Sequence, residues 1–212
     1  MPRSTWNNLA AERRDRVLVA AMAEFGRHGY SGGSLNVIAR EAGVAKGSLF
    51  QYFEDKFDLF AYVAEQTSLR VYEAMRWLLD VPEGPLVSHL LDVTDVWIAY
   101  MAEHPLERAV TAATTMELDP EVRNAVRAPV HRLYAQGLRP LLTAAVERGE
   151  FRADADLDAL LSLFVLLLPH LALAPFEPGL DAGVVLHGTA GRRRSEHARR
   201  LVGTLLSGVT AG

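Results

Sequence analysis

The chain has 212 residues, half of them hydrophobic, with 22 Lys and Arg against 26 Asp and Glu, a formal net charge of −4. A chain of this length and apolar content buries a substantial core, which excludes a disordered protein, and its mild acidity excludes one that coats nucleic acid indiscriminately. Cysteine is absent, which excludes disulfides, thiolate metal sites and cysteine catalysis together.

The opening segment, MPRSTWNNLAAERR, lacks the apolar run of a signal peptide, so the expected location is the cytoplasm. From Arg14 to Phe60 the pattern is that of three short helices. In the first, Val17, Leu18, Ala21 and Phe25 fall on one face, and Gly26 and Gly29 mark the expected stop. A turn follows at Ser31-Gly32-Gly33. Ser34 is then placed to accept a hydrogen bond from the free N–H groups of a second helix, Leu35 to Glu41, which buries Val37, Ile38 and Ala42 and ends at Gly43. In the third helix Lys46, Gly47, Ser48, Gln51 and Tyr52 fall away from Val44, Leu49 and Phe53, giving an apolar inner face and a polar, partly cationic outer one. Two helices joined by a short turn containing glycine form a helix-turn-helix, whose second helix enters the major groove of DNA. A phosphate loop is excluded for Gly43 to Ser48, because that loop needs Gly-Lys-Ser/Thr after a strand and the order here is Lys-Gly-Ser between helices.

Beyond Lys56 there is no strand-like alternation. Helices are expected at about 56–80, 85–103, 105–117, 120–149, 155–174 and 194–209, punctuated by Pro82, Gly84-Pro85, Pro105, Pro120, Gly149 and the stretch from Pro175 to Gly179. Asp119 caps a helix with Pro120 in its first turn, and Pro129 and Pro140 should kink or divide that helix. Glu177 to Arg193, rich in glycine, reads as a flexible connection. The uncharged run from Ala159 to Phe176 is broken by Ser162, Pro169 and His170, so it reads as a helix buried on nearly every side and not as a membrane span. Burial of that kind is most easily met against a second copy of the chain.

The helix from Pro85 carries a stripe of Leu86, Leu90, Val93, Trp97, Tyr100 or Met101, and His104, which is either core packing or one wall of a ligand chamber. None of the seven histidines pairs with another at helical spacing, so neither a metal site nor a cofactor is expected. No nucleophile-base pair stands out, so an enzyme is not expected; a helical enzyme or ligand carrier is the rival class. The basic run Arg192-Arg193-Arg194 with Arg199-Arg200 is read as a solvated face, with anion binding as the alternative. The first sixty residues hold eight Lys and Arg against seven Asp and Glu, the remainder 14 against 19, which turns the amino end toward DNA.

The wording of the amino-terminal motif is more specific than its spacing: I-A-x-x-A-G-V from Ile38 to Val44, K-G-S-L-F-x-Y-F from Lys46 to Phe53, and K-F-D-L from Lys56 to Leu59. In these words the chain resembles the TetR (tetracycline-repressor) family of transcriptional regulators. The resemblance implies an all-α homodimer without enzymatic activity, with a helix-turn-helix DNA-binding domain at 1–56 and a helical ligand-binding and dimerisation domain at 57–212. Its partners would be double-stranded operator DNA and a small molecule, with no membrane, and the dimer would form through the last two long helices. Asn36, Lys46, Gly47, Ser48, Gln51 and Tyr52 stand where the family meets DNA, with Ser34 beside them at the helix cap and Lys56 where a phosphate is touched. The side chains suit this: Gln51 and Asn36 can bridge N6 and N7 of adenine, and Lys46 can donate to guanine or phosphate. Ala45 departs from the usual capping Ser or Thr, and Phe50 from a Tyr whose hydroxyl reaches phosphate. The resemblance also places Trp77, Trp97, Tyr100, Met101, His104, Met116, His131 and Tyr134 on the helices that surround the effector pocket.

Overall fold

The computed structural model describes residues 2–181, 183 and 186–211. The described residues form ten α-helices: α1 (Ser4–Asn7), α2 (Ala11–Gly32), α3 (Leu35–Glu41), α4 (Lys46–Tyr52), α5 (Lys56–Met75), α6 (Leu86–Glu103), α7 (Pro105–Thr115), α8 (Pro120–Glu147), α9 (Leu157–Leu173) and α10 (Gly191–Ser207). A 3₁₀ turn at Arg76–Leu79 follows α5. Apart from one isolated bridge between Phe151 and Thr210, no β-pairing occurs among the described residues, so the all-α reading holds.

The chain divides into two compact units, Met1–Val71 with His104–Val130, and Tyr72–Glu103 with His131–Gly212. In the first, Val17, Phe25, Ile38, Leu49, Phe53 and Phe60 share one buried cluster with Val110, Val122 and Val126. Helix α7 and the start of α8 therefore belong to the same core as the helix-turn-helix.

Gly26 is not the helix stop that the sequence led us to expect. It lies inside α2, and a Cβ at that position would sit only 2.7 Å from Cβ of Ala109 on α7. Its missing side chain admits the neighbouring helix. The break comes at Gly29, whose φ of 66° is a conformation that glycine adopts without steric cost. The turn between α7 and α8 is tied down by Glu117, a buried residue whose carboxylate accepts from the N–H groups of Tyr30 (3.3 Å) and Asp119 (3.1 Å). As expected, Asp119 caps α8, its Oδ1 accepting from the N–H groups of Glu121 and Val122. Helix α8 runs unbroken past Pro129 and Pro140, although the boundary between the compact units falls next to Pro129.

In the second unit α6 packs against α9 and α10. The Glu150 carboxylate accepts from the N–H groups of Leu86 and Val87 and so caps α6, where Pro85 precedes the helix without a capping side chain. Arg199 of α10 donates to both Asp92 and Asp95 of α6, and Ser195 donates to Asp95 at 2.6 Å. The hydrogen bond to Asp95 holds the Arg199 pKa above its ordinary value. Part of the basic run is thus an internal clamp. Helix α10 begins at Gly191, so Arg192 to Arg194 lie in its first turn and not ahead of it. Of the connection expected from Glu177 to Arg193, residues Ala182, Val184 and Val185 lie outside the described residues.

Candidate nucleic-acid interface and effector site

Helix α3 is preceded by Ser34, whose hydroxyl accepts from the N–H of Val37 at 3.5 Å and whose own N–H donates to Glu24 at 2.9 Å. Ser34 is half-buried and acts as the cap foreseen for it. Helix α4 has no capping side chain, because Ala45 holds the cap position. Asn36 on α3 and Lys46, Gly47 and Gln51 on α4 are exposed, and Ser48 is half-buried. Lys46, Gly47, Phe50 and Gln51 follow helical i, i+3, i+4 spacing, so they share the outer side of α4. Phe50, 41% exposed, adds an apolar face to that side.

Tyr52 lies elsewhere. The sequence pattern put it outside with Gln51, but it is 5% exposed and packs inward beside Leu49 and Phe53, its ring centroid 5.7 Å from that of Trp6. Trp6, in a segment read only for the absence of a signal peptide, supplies the apolar partner that turns Tyr52 in. Lys56 is half-buried, its ammonium donating to the carbonyls of Ser31 (3.2 Å) and Gly33 (3.4 Å) and lying 4.6 Å from the centroid of the Tyr30 ring. It therefore fastens the turn between α2 and α3 to the start of α5. Burial, aided by Asp55, Asp119 and Glu117, pushes the Tyr30 phenol above its ordinary pKa, so the ring beneath the ammonium stays neutral.

The residues proposed for the chamber separate into groups. Trp97 and Tyr134 meet edge to face at 5.5 Å, and Trp97 Nε1 donates to the Leu168 carbonyl at 2.9 Å. They line a cavity of about 30 Å³ together with Tyr72, Met75, Leu79, Val93, Leu138 and Leu168. Met101 is fully buried in α6, and Tyr100 and His131 are half-buried in the same unit. Trp77 is 64% exposed and lines no part of this cavity. His104 and Met116 fall in the other compact unit. The lining from Tyr72, Met75 and Leu79 was missed. Its signal was the i, i+3, i+7 spacing that runs from the end of α5 into the 3₁₀ turn, which resembles ordinary core periodicity. Among the described residues no cluster of His, Asp or Glu could hold a metal ion, and no helix is long and apolar enough to cross a membrane.

Two family models match the chain: bacterial regulatory proteins of the tetR family over residues 17–63, and the tetracyclin repressor-like C-terminal domain over residues 80–187. The chain belongs to the tetR family of bacterial regulatory proteins. The TetR-family chain is 29% identical to the transcriptional repressor AcnR of Corynebacterium diphtheriae across 73% of its own length and 76% of that protein's. It is 27% identical to a probable acrEF/envCD operon repressor of Escherichia coli, over 72% of this chain and 70% of the other. Among solved structures, the regulator FadR of Bacillus subtilis, in complex with stearoyl-CoA, superposes with a TM-score of 0.71 at 17% identity, covering 92% of this chain and 98% of that one. The TetR-family chain is thus a DNA-binding transcriptional regulator with an amino-terminal helix-turn-helix and a helical carboxy-terminal domain.

Proposed function

We propose that this regulator is a cytoplasmic, homodimeric repressor that binds a palindromic operator and releases it when a small apolar or aromatic molecule enters the second compact unit. The observation that carries the reading is the pairing of an exposed polar face on α4 with a separate, apolar-lined cavity between Trp97 and Tyr134. In function, 1–56 reads DNA, and 57–212 senses the effector and dimerises. Asn36, Lys46, Gly47, Ser48 and Gln51 meet bases and phosphates, and Lys56 meets a phosphate while fastening the turn before α3; Ser34 and Tyr52 set the position of the helices that carry them.

The dimer uses α9 and α10. On the outer side of α9, Leu163 and Leu166 are 46% and 69% exposed, with Ala159, Ser162 and His170 beside them. A stripe of this kind is covered when two copies pair.

The cavity holds about one water, far below the ~300 Å³ and upward of ordinary ligand sites. An effector selects an opened body, and operator affinity falls because that body no longer presents the two recognition helices to successive major grooves. A long acyl chain matches the apolar character of this lining and would need the opened body; the structurally similar FadR of Bacillus subtilis was solved in complex with stearoyl-CoA.

The test is selection of duplexes from a random library by the purified protein, followed by footprinting. Two symmetric half-sites, with a footprint weakened by one member of an apolar and acyl-thioester library, support the reading. A protein that enriches no sequence removes it, and a footprint unmoved by the whole library removes the sensing role while leaving the DNA-reading role.

A further inference from the structure

We propose that Arg3 is a DNA-phosphate contact, held at the carboxy-terminal end of the recognition helix α4 by a brace that residues 2–9 form. The inference rests on the reading of α4 as the recognition helix. The family match begins at residue 17, so the brace lies outside it.

Chain ends normally fray unless something ties them down. Here the tie is Trp6, 2% exposed, whose ring packs on Tyr52, Phe53 and Tyr62 and whose Nε1 donates to the Tyr62 hydroxyl at 3.0 Å. Leu9 packs on the same core, and Arg14 donates to the Asn7 carbonyl at 3.2 Å. So anchored, the segment meets the last carbonyls of α4, which have no partner within the helix. The Arg3 N–H donates to the Tyr52 carbonyl at 2.8 Å, Arg3 Nη1 to the Phe50 carbonyl at 3.0 Å, and the Thr5 hydroxyl to the Gln51 carbonyl. Three consecutive carbonyls of the recognition helix are thus satisfied by one short stretch of chain.

The consequence for DNA follows from charge and place. A guanidinium presents five N–H donors in a planar fork, and Arg3 is exposed, so donors beyond the one used on Phe50 face solvent. The amino-terminal residues of a recognition helix meet base edges, and in the three-helix homeodomain variant the carboxy-terminal end of that helix meets the DNA backbone. Arg3 sits at that end, beside exposed Phe50 and Gln51. A cation ordered there by its bond to the Phe50 carbonyl loses less side-chain freedom when it meets a phosphate than an untethered one would.

The experiment compares full-length wild type with Arg3→Gln, Arg3→Lys and Trp6→Ala across a KCl series, on a duplex selected by the wild type and on one of random sequence. Arg3→Gln loses the charge and the Phe50 bond but keeps the backbone N–H bond to the Tyr52 carbonyl and the Trp6 anchor, so the salt slope reads the phosphate contact apart from the brace. We expect it to weaken binding to both duplexes by roughly 3- to 10-fold and to flatten the slope of log K against log[salt] by about 0.9 for each copy bound. Arg3→Lys should keep most of the slope. Trp6→Ala should lose as much slope as Arg3→Gln although Arg3 is present. A wild-type slope in Arg3→Gln overturns the contact, as does weakened binding at an unchanged slope, which would make the segment a brace alone. A wild-type protein that binds neither duplex sinks the assignment of α4, and the Arg3 contact with it.

Discussion

Gln51 and Lys56 have different chemistry and should fail differently. The Gln51 amide carries both a donor and an acceptor, the pair that bridges N6 and N7 of adenine, and it stands exposed on α4. Gln51→Ala should therefore relax preference at one base per half-site, costing about 1–3 kcal/mol on the operator and little on random DNA. Lys56 is a point charge whose ammonium already spans the carbonyls of Ser31 and Gly33. Lys56→Ala should weaken binding to all sequences with a shallower salt dependence and should also lower the melting temperature, because the turn between α2 and α3 loses its fastening. Titrations of both variants against operator and random duplexes check the division; equal losses on both for Gln51→Ala would end it. At this scale the sequence shows side-chain type well and orientation less well. Tyr52 has the spacing to face either way, and only its distant partner Trp6 decides that it faces in.

Helices and their order were legible because apolar periodicity, prolines and Asp119 act locally. What periodicity could not show was how α2 meets α7. A glycine in a helical pattern marks either an end or a close crossing, and Gly26 is the second because Ala109 lies against it. Gly26→Ala should cost roughly 1–3 kcal/mol in urea unfolding by forcing the helices apart. Ala109→Gly in the same molecule should recover part of that, leaving a favourable coupling of about 1 kcal/mol in the double-mutant cycle. Strict additivity would mean that the crossing yields without strain. The outer side of α9 gives a second prediction at this scale. Leu166 is 69% exposed in the single chain, so Leu166→Glu should leave the fold intact and convert a dimer to a monomer in sedimentation at micromolar concentration. A variant that stays dimeric would place the interface elsewhere.

The cavity at Trp97 and the exposed face of α4 fall to different compact units, and the chain passes between these units within α5 at Val71–Tyr72, at the α6–α7 junction, and within α8 at Val130–His131. Two of the three passages lie inside continuous helices. In the proposed mechanism a change of helix position around Trp97 would reach the first unit along α5 and α8, and α5 begins at Lys56. The sequence indicated two parts but set their boundary at residue 56, because function in such a chain is written near the motif, whereas compactness depends on which later helices complete the first core. Trp97→Ala tests the coupling. It removes the hydrogen bond to Leu168 and the edge-to-face contact with Tyr134 and leaves a void, at a cost of about 3–5 kcal/mol if the site does not collapse. Provided circular dichroism shows a folded dimer, operator affinity without effector should change less than about twofold while the effector's power to lower it falls. Linkage makes the demand reciprocal: whatever factor the effector takes from operator affinity, operator must take from effector affinity, in wild type and variant alike. Fluorescence titration of effector with and without operator measures the second factor independently of the first. If Trp97→Ala folds, dimerises and responds as wild type does, Trp97 is core and the effector enters elsewhere; if the two factors disagree, the molecule that shifts the operator complex does so by competing for DNA and not by binding the body.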